Sequence, residues 1–333
     1  MAIVGIDTLI YGVQDLAKAT AFFDDFGLAQ QSQNALETIY KLDEGSTVIV
    51  RNIDHPSIPK SSYQGFGVKE TIWGVDTEDS LKKLVDDLKT DRDVVLGEDG
   101  AWHFMTDCGM PLGLRVFNRK KVSYATDPIN SSGNIKRLNQ HRKWRRRAIP
   151  KTINHVVFAV EDYWKTFAFF RDRLNFRMSD HQKGIGTYLR ADGANEHHNT
   201  FLLNCKVPGA GDIARYHHTC FGVEDFDEVM IGSNYMTKRG WTHGFLGIGR
   251  HRIASAIYCY FESPVGGETE YGADTDYLDD NWVPREWEFR FGTASWMTKP
   301  PAFMLEDIPW DVGFYQGKEP YMRELKQNND EQK

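Results

Sequence analysis

The chain repeats itself, and this constrains its fold more than any other feature. Each copy must form a similar unit that buries its apolar face against the others. Sliding the sequence by 147 residues lays IDTLIYGVQDLAKATAFFDD (Ile6 to Asp25) over INHVVFAVEDYWKTFAFFRD (Ile153 to Asp172). Val13/Val160, Asp15/Asp162, Phe22/Phe169 and Phe23/Phe170 are identical in the overlay. At nearly the same offset, TIWGVDTEDSL (Thr71 to Leu81) matches TCFGVEDFDEV (Thr219 to Val229). The chain therefore reads as two similar halves, each made of two similar modules.

Every module has the same pattern. A strand ends in a valine–acid pair, as in GVQD, GVDTED, AVED and GVED. The acid is placed to accept the free N–H groups of the helix that follows. The helical segments LAKATAFFDDF, DSLKKLVDDL, YWKTFAFFRDRL and FDEVMIGSNYM carry apolar residues at i, i+3, i+4 spacing. Alternating segments such as STVIVRN, TYLRADG, NTFLLNC and GETEYG then read as antiparallel strands. The expected fold is α+β: four βαβββ modules, at residues 4–60, 66–118, 153–206 and 216–272, in two tandem domains. Domain limits of 1–120 and 151–290 follow, joined by a linker at 121–150 and trailed by a tail at 291–333. The Trp- and Pro-rich stretch from residue 273 is expected to pack irregularly over one half, with the last ten residues mobile.

Composition narrows the function. The 333 residues are 41% hydrophobic and 26% charged, which excludes a disordered or collagenous chain. No run approaches the roughly 18 apolar residues that a membrane span needs, and the N-terminus does not read as a signal peptide. The four cysteines are far apart and form no CxxC pair, so a reducing cytoplasm is expected. A net charge of −7 argues against nucleic-acid binding. The basic run HRKWRRR (His141 to Arg147) accordingly reads as a solvated connecting helix or an inter-subunit contact rather than a phosphate patch. Aromatic residues make up 13% of the chain, with nine Trp, implying a large core or an aromatic-lined pocket.

The repeat register also selects a metal site. His155 lies five residues before Val160 and His218 five before Val223, so both hold the same place on the first strand of their modules. Alternation along a strand then favours His218 over His217. If the two first strands pair, the imidazoles converge, and Glu270 in GGETEYG supplies a carboxylate. Two histidines and one carboxylate leave open coordination positions, the arrangement associated with non-haem Fe(II) oxygen chemistry. In the N-terminal half the matching residues are Thr8, Glu70 and Leu114, a set that cannot hold a transition metal well.

With these residues in hand, the chain resembles the type I extradiol ring-cleavage (catechol) dioxygenases of the vicinal oxygen chelate superfamily. The likeness rests on INHVVFAV with His155, EHHNTFLL with His198, RYHHTCFGV with His218, GRHRIAS with His251, and YCYFESPVGGETEYG with Tyr260 and Glu270. The spacing of nine from His251 to Tyr260 and ten more to Glu270 matches the family's closing signature. The resemblance implies Fe(II), or Mn(II) in some members, on His155, His218 and Glu270, with a catechol and O2 as substrates. It implies an acid–base role for His198, and contacts from His251 and Tyr260 to the catechol oxygens. It also implies a homo-oligomer. The chain departs from the family after GRH, where Arg252, Ile253 and Ala254 stand in place of the usual Asn or Asp. Tyr188, Trp241, His243 and Phe245 are expected to line the substrate pocket, and His181 to lie on an exposed loop. The competing readings are a metal-dependent lyase or isomerase that does not use O2, and a non-catalytic aromatic-binding protein.

Overall fold

The computed structural model describes residues 2–317. The expectation for the last ten residues lies outside that range. The first module runs β1 (Ile3–Val13), α1 (Leu16–Phe26), β2 (Gln30–Gln33), β3 (Glu37–Lys41), β4 (Thr47–Asn52). The second runs β5 (Gly67–Val75), α2 (Glu78–Leu88), β6 (Val94–Leu96), β7 (Trp102–Met105), β8 (Pro111–Val116). The third comprises β9 (Thr152–Val160), α3 (Tyr163–Leu174), β10 (Arg177–Gln182), β11 (Gly186–Arg190), β12 (Thr200–Asn204). The fourth comprises β13 (Arg215–Gly222), α4 (Phe226–Lys238), β14 (His243–Arg250), β15 (Ile257–Glu262), β16 (Glu268–Ala273). The βαβββ unit thus occurs four times, as the repeat predicts.

The acids do their capping work in three modules. Asp15, Asp162 and Asp225 accept the backbone N–H of Lys18, Lys165 and Glu228 at the starts of α1, α3 and α4. In the second module the cap is Thr77, which accepts from Ser80, not the acid beside it.

Modules pair through their first strands. The N-terminal half forms an eight-stranded sheet with β1 antiparallel to β5 at its centre. The C-terminal half forms an eleven-stranded sheet with β9 antiparallel to β13 at its centre. The extra strands come from the tail. β17 (Arg285–Trp287) adds to β10, β18 (Trp296–Met297) to β14, and β19 (Val312–Phe314) to β17, while α5 (Phe289–Thr293) lies between β17 and β18. The described tail is therefore more regular than its Trp- and Pro-rich sequence suggests.

One apolar core spans both halves. Aromatic side chains help build it: Phe22 meets Trp241 edge-on at 5.0 Å, and Phe26 stacks on Tyr271 at 3.9 Å. On the opposite side Phe170 and Phe176 pack around Trp73. Tyr11 of the first module reaches into the fourth, donating to Thr219 Oγ1 at 2.7 Å. A large share of the aromatic residues packs between the halves in this way.

The basic linker is not a helix, contrary to one of the expectations for it. Residues 119–150 contain no helix, and the cations meet acids at the start of α4. Arg142 pairs with Asp227, Lys143 with Glu224, and Arg145 with Glu224 and Asp225. These ion pairs tie the segment to the start of α4.

Candidate metal centre

The long central strands place the site. On the β9–β13 ladder Cys220 faces His155, and on the β13–β16 ladder Cys220 faces Glu270. His155, His218 and Glu270 consequently project from three neighbouring strands toward one point. Nε2 of His155 lies 3.3 Å from Nε2 of His218 and 3.2 Å from Glu270 Oε2, and His218 Nε2 lies 3.4 Å from the same oxygen. Three donor atoms at this spacing fit one ion at about 2.1 Å from each. Glu270 is 1% exposed, yet its Oε2 has no hydrogen-bond partner. A buried carboxylate oxygen left in that state is costly unless a cation satisfies it. The donor set therefore fits a divalent transition metal.

Cys220 brings a fourth donor close, since its Sγ lies within 4.8 Å of donor atoms of His155 and Glu270. Burial, then the Glu270 charge, pushes its thiol well above the usual range. That disfavours the thiolate, the form that binds a metal. His218 is the better donor. Its own pKa is pushed well below the ordinary value by burial and then by neighbouring imidazoles, so it presents a neutral lone pair.

Strand alternation does not exclude His217 from the cavity, contrary to expectation. A bulge between Tyr216 and His218 breaks the β9–β13 register and turns His217 inward. Both histidines line the same cavity, with Nδ1 atoms 2.7 Å apart. Burial, then the Arg215 charge, lowers His217 to about 4, so it is neutral at pH 7. When His218 uses Nε2 as a ligand, its Nδ1–H donates to His217, which fixes the ligand's tautomer.

A second chain of contacts supports His198. Its ring stacks on His155 at 4.1 Å and lines the cavity. His198 Nδ1 lies 3.1 Å from His197 Nδ1, and His197 Nε2 lies 3.2 Å from Asp180 Oδ2. The Asp180 carboxylate only accepts, so His197 Nε2–H donates to it and His197 Nδ1 is left to accept from His198. That leaves His198 Nε2 as a free base. Burial, and then the neighbouring imidazoles, push His198 well below its ordinary pKa, so the base is unprotonated at neutral pH. The EHH motif pointed to His198; Asp180, eighteen residues earlier on β10, carried no sequence signal.

His251 is oriented from behind. Its Nδ1 donates to the Thr293 carbonyl at 2.5 Å, leaving Nε2 to accept from the Tyr260 hydroxyl at 3.2 Å. Burial lowers His251 and raises Tyr260 well above its usual range, so both are neutral.

These groups share a cavity of about 920 Å³. Its wall away from the carboxylate is apolar, with Val157, Phe201, Leu203 and Val207 in line. Tyr188 and Phe245 line it too. Tyr188 stacks on Phe201 at 4.0 Å and donates to Gln182 Oε1. Trp241 and His243 do not line it. The turn after α4 folds Trp241 back onto Phe22, with its indole N–H on Asp25. His243 opens β14, with Nε2 2.8 Å from Ser233 Oγ and its ring against Phe261. Both are packing residues between elements. His181 is also misplaced by the sequence reading: it is buried in β10, bonded to Glu286 and packed on Trp164.

In the N-terminal half the ladder pairs Ile72 with Gly113, so the residue matching Glu270 is Gly113 rather than Leu114. Thr8, Glu70 and Gly113 hold the triad positions there. Glu70 is bonded instead to His103 Nδ1, at 2.7 Å.

Comparison with known proteins agrees with this geometry. Residues 152–257 match the Glyoxalase/Bleomycin resistance protein/Dioxygenase superfamily model. The chain is 26% identical to metapyrocatechase 2 of Cupriavidus necator over 315 residues, covering 92% of each chain. Its fold matches the Mn(II)-bound glyoxalase of Novosphingobium aromaticivorans with a TM-score of 0.70 at 19% identity, covering 95% of this chain and 98% of that one. It matches 2,2',3-trihydroxybiphenyl 1,2-dioxygenase of Sphingomonas wittichii strain RW1 with a TM-score of 0.67 at 16% identity, covering 89% and 99%.

Proposed function

Because this chain resembles the extradiol dioxygenases of the vicinal oxygen chelate superfamily in sequence and in fold, we propose that it is an Fe(II)-dependent ring-cleavage enzyme acting on a catechol and O2. The observation that carries the reading is the His155–His218–Glu270 triangle, with an unsatisfied Glu270 oxygen, beneath an apolar cavity that also holds a free imidazole base. His155, His218 and Glu270 would hold the metal, which when bound supplies a shared site for catechol and O2 and the redox chemistry that joins them. A two-histidine, one-carboxylate face suits Fe(II), and Mn(II) is the other fitting ion.

The chain's own groups would do the rest. His198 Nε2, unprotonated and facing the cavity, takes a proton from the substrate hydroxyl and returns it later, its ring held by His197 and Asp180. Tyr260 and His251 form a neutral hydrogen-bonded pair at the cavity wall and orient the diol. Phe201, Leu203 and Tyr188 exclude water and hold the ring face. The product is a ring-opened semialdehyde or keto acid, and the setting is cytoplasmic breakdown of aromatic compounds. Self-association accompanies this reading; Ile129, Ile135, Leu138 and Trp144 stand exposed on the linker and supply an apolar contact face.

The test is anaerobic loading with Fe(II), then oxygen uptake across a panel of catechols, watching for a yellow product. Uptake stoichiometric with catechol is expected. Absence of uptake with every catechol, despite one bound iron per chain, would overturn the dioxygenase reading. The glyoxalase fold match favours one second reading, a metal-dependent lyase or isomerase. It requires turnover of a substrate under anaerobic conditions.

A further inference from the structure

A second cavity, of about 410 Å³, lies behind His251, whose ring lines both it and the metal cavity. Three arginines line the second cavity, Arg250, Arg252 and Arg285, with Trp287, Phe291 and Trp310 as its aromatic walls. In a chain of net charge −7 this is a local excess of cations. Two of them are neutralised. Arg250 pairs with Asp274 at 2.8 Å, and Arg285 with Asp180 at 3.3 Å. The nearby Asp276 accepts from Ser255 Oγ. Arg252 has no acid partner among the described residues. Its guanidinium lies 4.4 Å over the Phe291 ring, and its Nε is buried without a hydrogen-bond partner. The Nε of Arg285 is buried and unpartnered as well, between the rings of Trp282 and Trp287.

The backbone that presents Arg252 is strained. Ala254 and Ser255 take φ of 62° and 54°, a left-handed pair with no glycine. Such conformations persist where the surroundings over-determine them and cluster where a ligand is held. Here the turn follows His251, which lines both cavities, and Arg252, which lines only the second. Arginines held flat on aromatic rings, with N–H groups left over, recognise carboxylates through paired hydrogen bonds.

We propose that the cavity behind His251 is a binding site for a small aromatic carboxylate, with Arg252 as its principal cation. The carboxylate bonds the free N–H groups of Arg252, and its ring lies among Trp287, Phe291 and Trp310. The site does not depend on the ring-cleavage reading, since it lies on the far side of His251 from the metal ligands.

Two wall tryptophans, Trp287 and Trp310, make their fluorescence the readout. Full-length enzyme, iron-free and iron-loaded, is titrated with benzoate and separately with inorganic phosphate at fixed ionic strength. Saturable benzoate binding is expected, tighter than phosphate and equal within twofold with or without iron. Arg252→Gln should weaken it at least tenfold, Arg252→Lys less than that, and Arg250→Gln, at a half-buried wall position, at least threefold. Absence of saturable benzoate binding overturns the proposal. So does binding that needs iron, which would place benzoate in the metal cavity, or tighter binding of phosphate. Unchanged affinity in both Arg252→Gln and Arg250→Gln overturns it too, and the second variant decides the matter if the first misfolds.

Discussion

The two halves of this chain share a fold and a register, yet they stabilise the same spot by different means. In the C-terminal half His155, His218 and Glu270 converge with their donor atoms 3.2–3.4 Å apart, leaving a buried carboxylate oxygen without a hydrogen-bond partner. In the N-terminal half Thr8, Glu70 and Gly113 hold those places, and the buried Glu70 is satisfied by His103 from β7. Both halves must answer the charge of a buried acid. One does so with an internal ion pair that adds to stability. The other leaves the charge open and so creates a place for chemistry.

The largest effect tests this contrast directly. Replacing His218 with Ala is expected to lower Fe(II) affinity by more than about 100-fold, because outer-shell changes alone cost about 10–100-fold. Oxygen uptake should fall to background. The Glu70→Ala variant is expected to keep full iron content by metal analysis; equal iron loss in the two would erase the distinction between halves.

Next in size is His198→Gln. With its base removed, turnover should fall by about 10²–10⁴-fold while bound iron and catechol affinity stay within a few-fold of the parent. Single-turnover kinetics under limiting oxygen separate the two quantities. Loss of iron in this variant would make His198 a ligand instead.

His217→Ala probes the bulge. It should bind iron about tenfold more weakly than the parent and remain active at saturating Fe(II), since it removes the acceptor for His218 Nδ1–H and not a ligand. A loss as large as that of His218→Ala would shift the assignment between the neighbours.

The smallest effect belongs to the other half. The hydrogen bond to Glu70, against a smaller cost of burial, raises His103 from 6.5 to about 9. Its folded pKa is above the unfolded value, so the stabilisation is complete below pH 6.5 and is lost as pH rises through about 9. The side chain is 29% exposed, so the contribution is modest, about 1–2 kcal/mol. Denaturant melts at pH 6 and pH 10 should show that loss in the parent and a flatter profile in His103→Gln.

Much of this was legible in the repeat. The overlay of Ile6–Asp25 on Ile153–Asp172 carried the modules, and α1 and α3 occupy the segments LAKATAFFDDF and YWKTFAFFRDRL that periodicity marks. Caps, helix faces and strand alternation are short-range consequences of neighbouring residues, so a single sequence displays them. The parity rule failed at His217 because a bulge is a property of two paired strands. Trp241 and His243 were misplaced because a turn's direction depends on what waits to be covered, here Phe22 and Phe261. Leu114 gave way to Gly113 because register is fixed by the ladder and not by counting.

By itself the sequence determined the four-module α+β fold, the inequality of the halves and the three residues that form the triangle, since each follows from local periodicity and repeat register. The tertiary structure alone decided the rest: which tryptophans are core, how Asp180 and His197 hold His198, and that Arg252 faces a second cavity behind His251. Those facts arise from side chains far apart in sequence competing for the same buried space. Their outcome is set by packing and by the demand that every buried polar group find a partner.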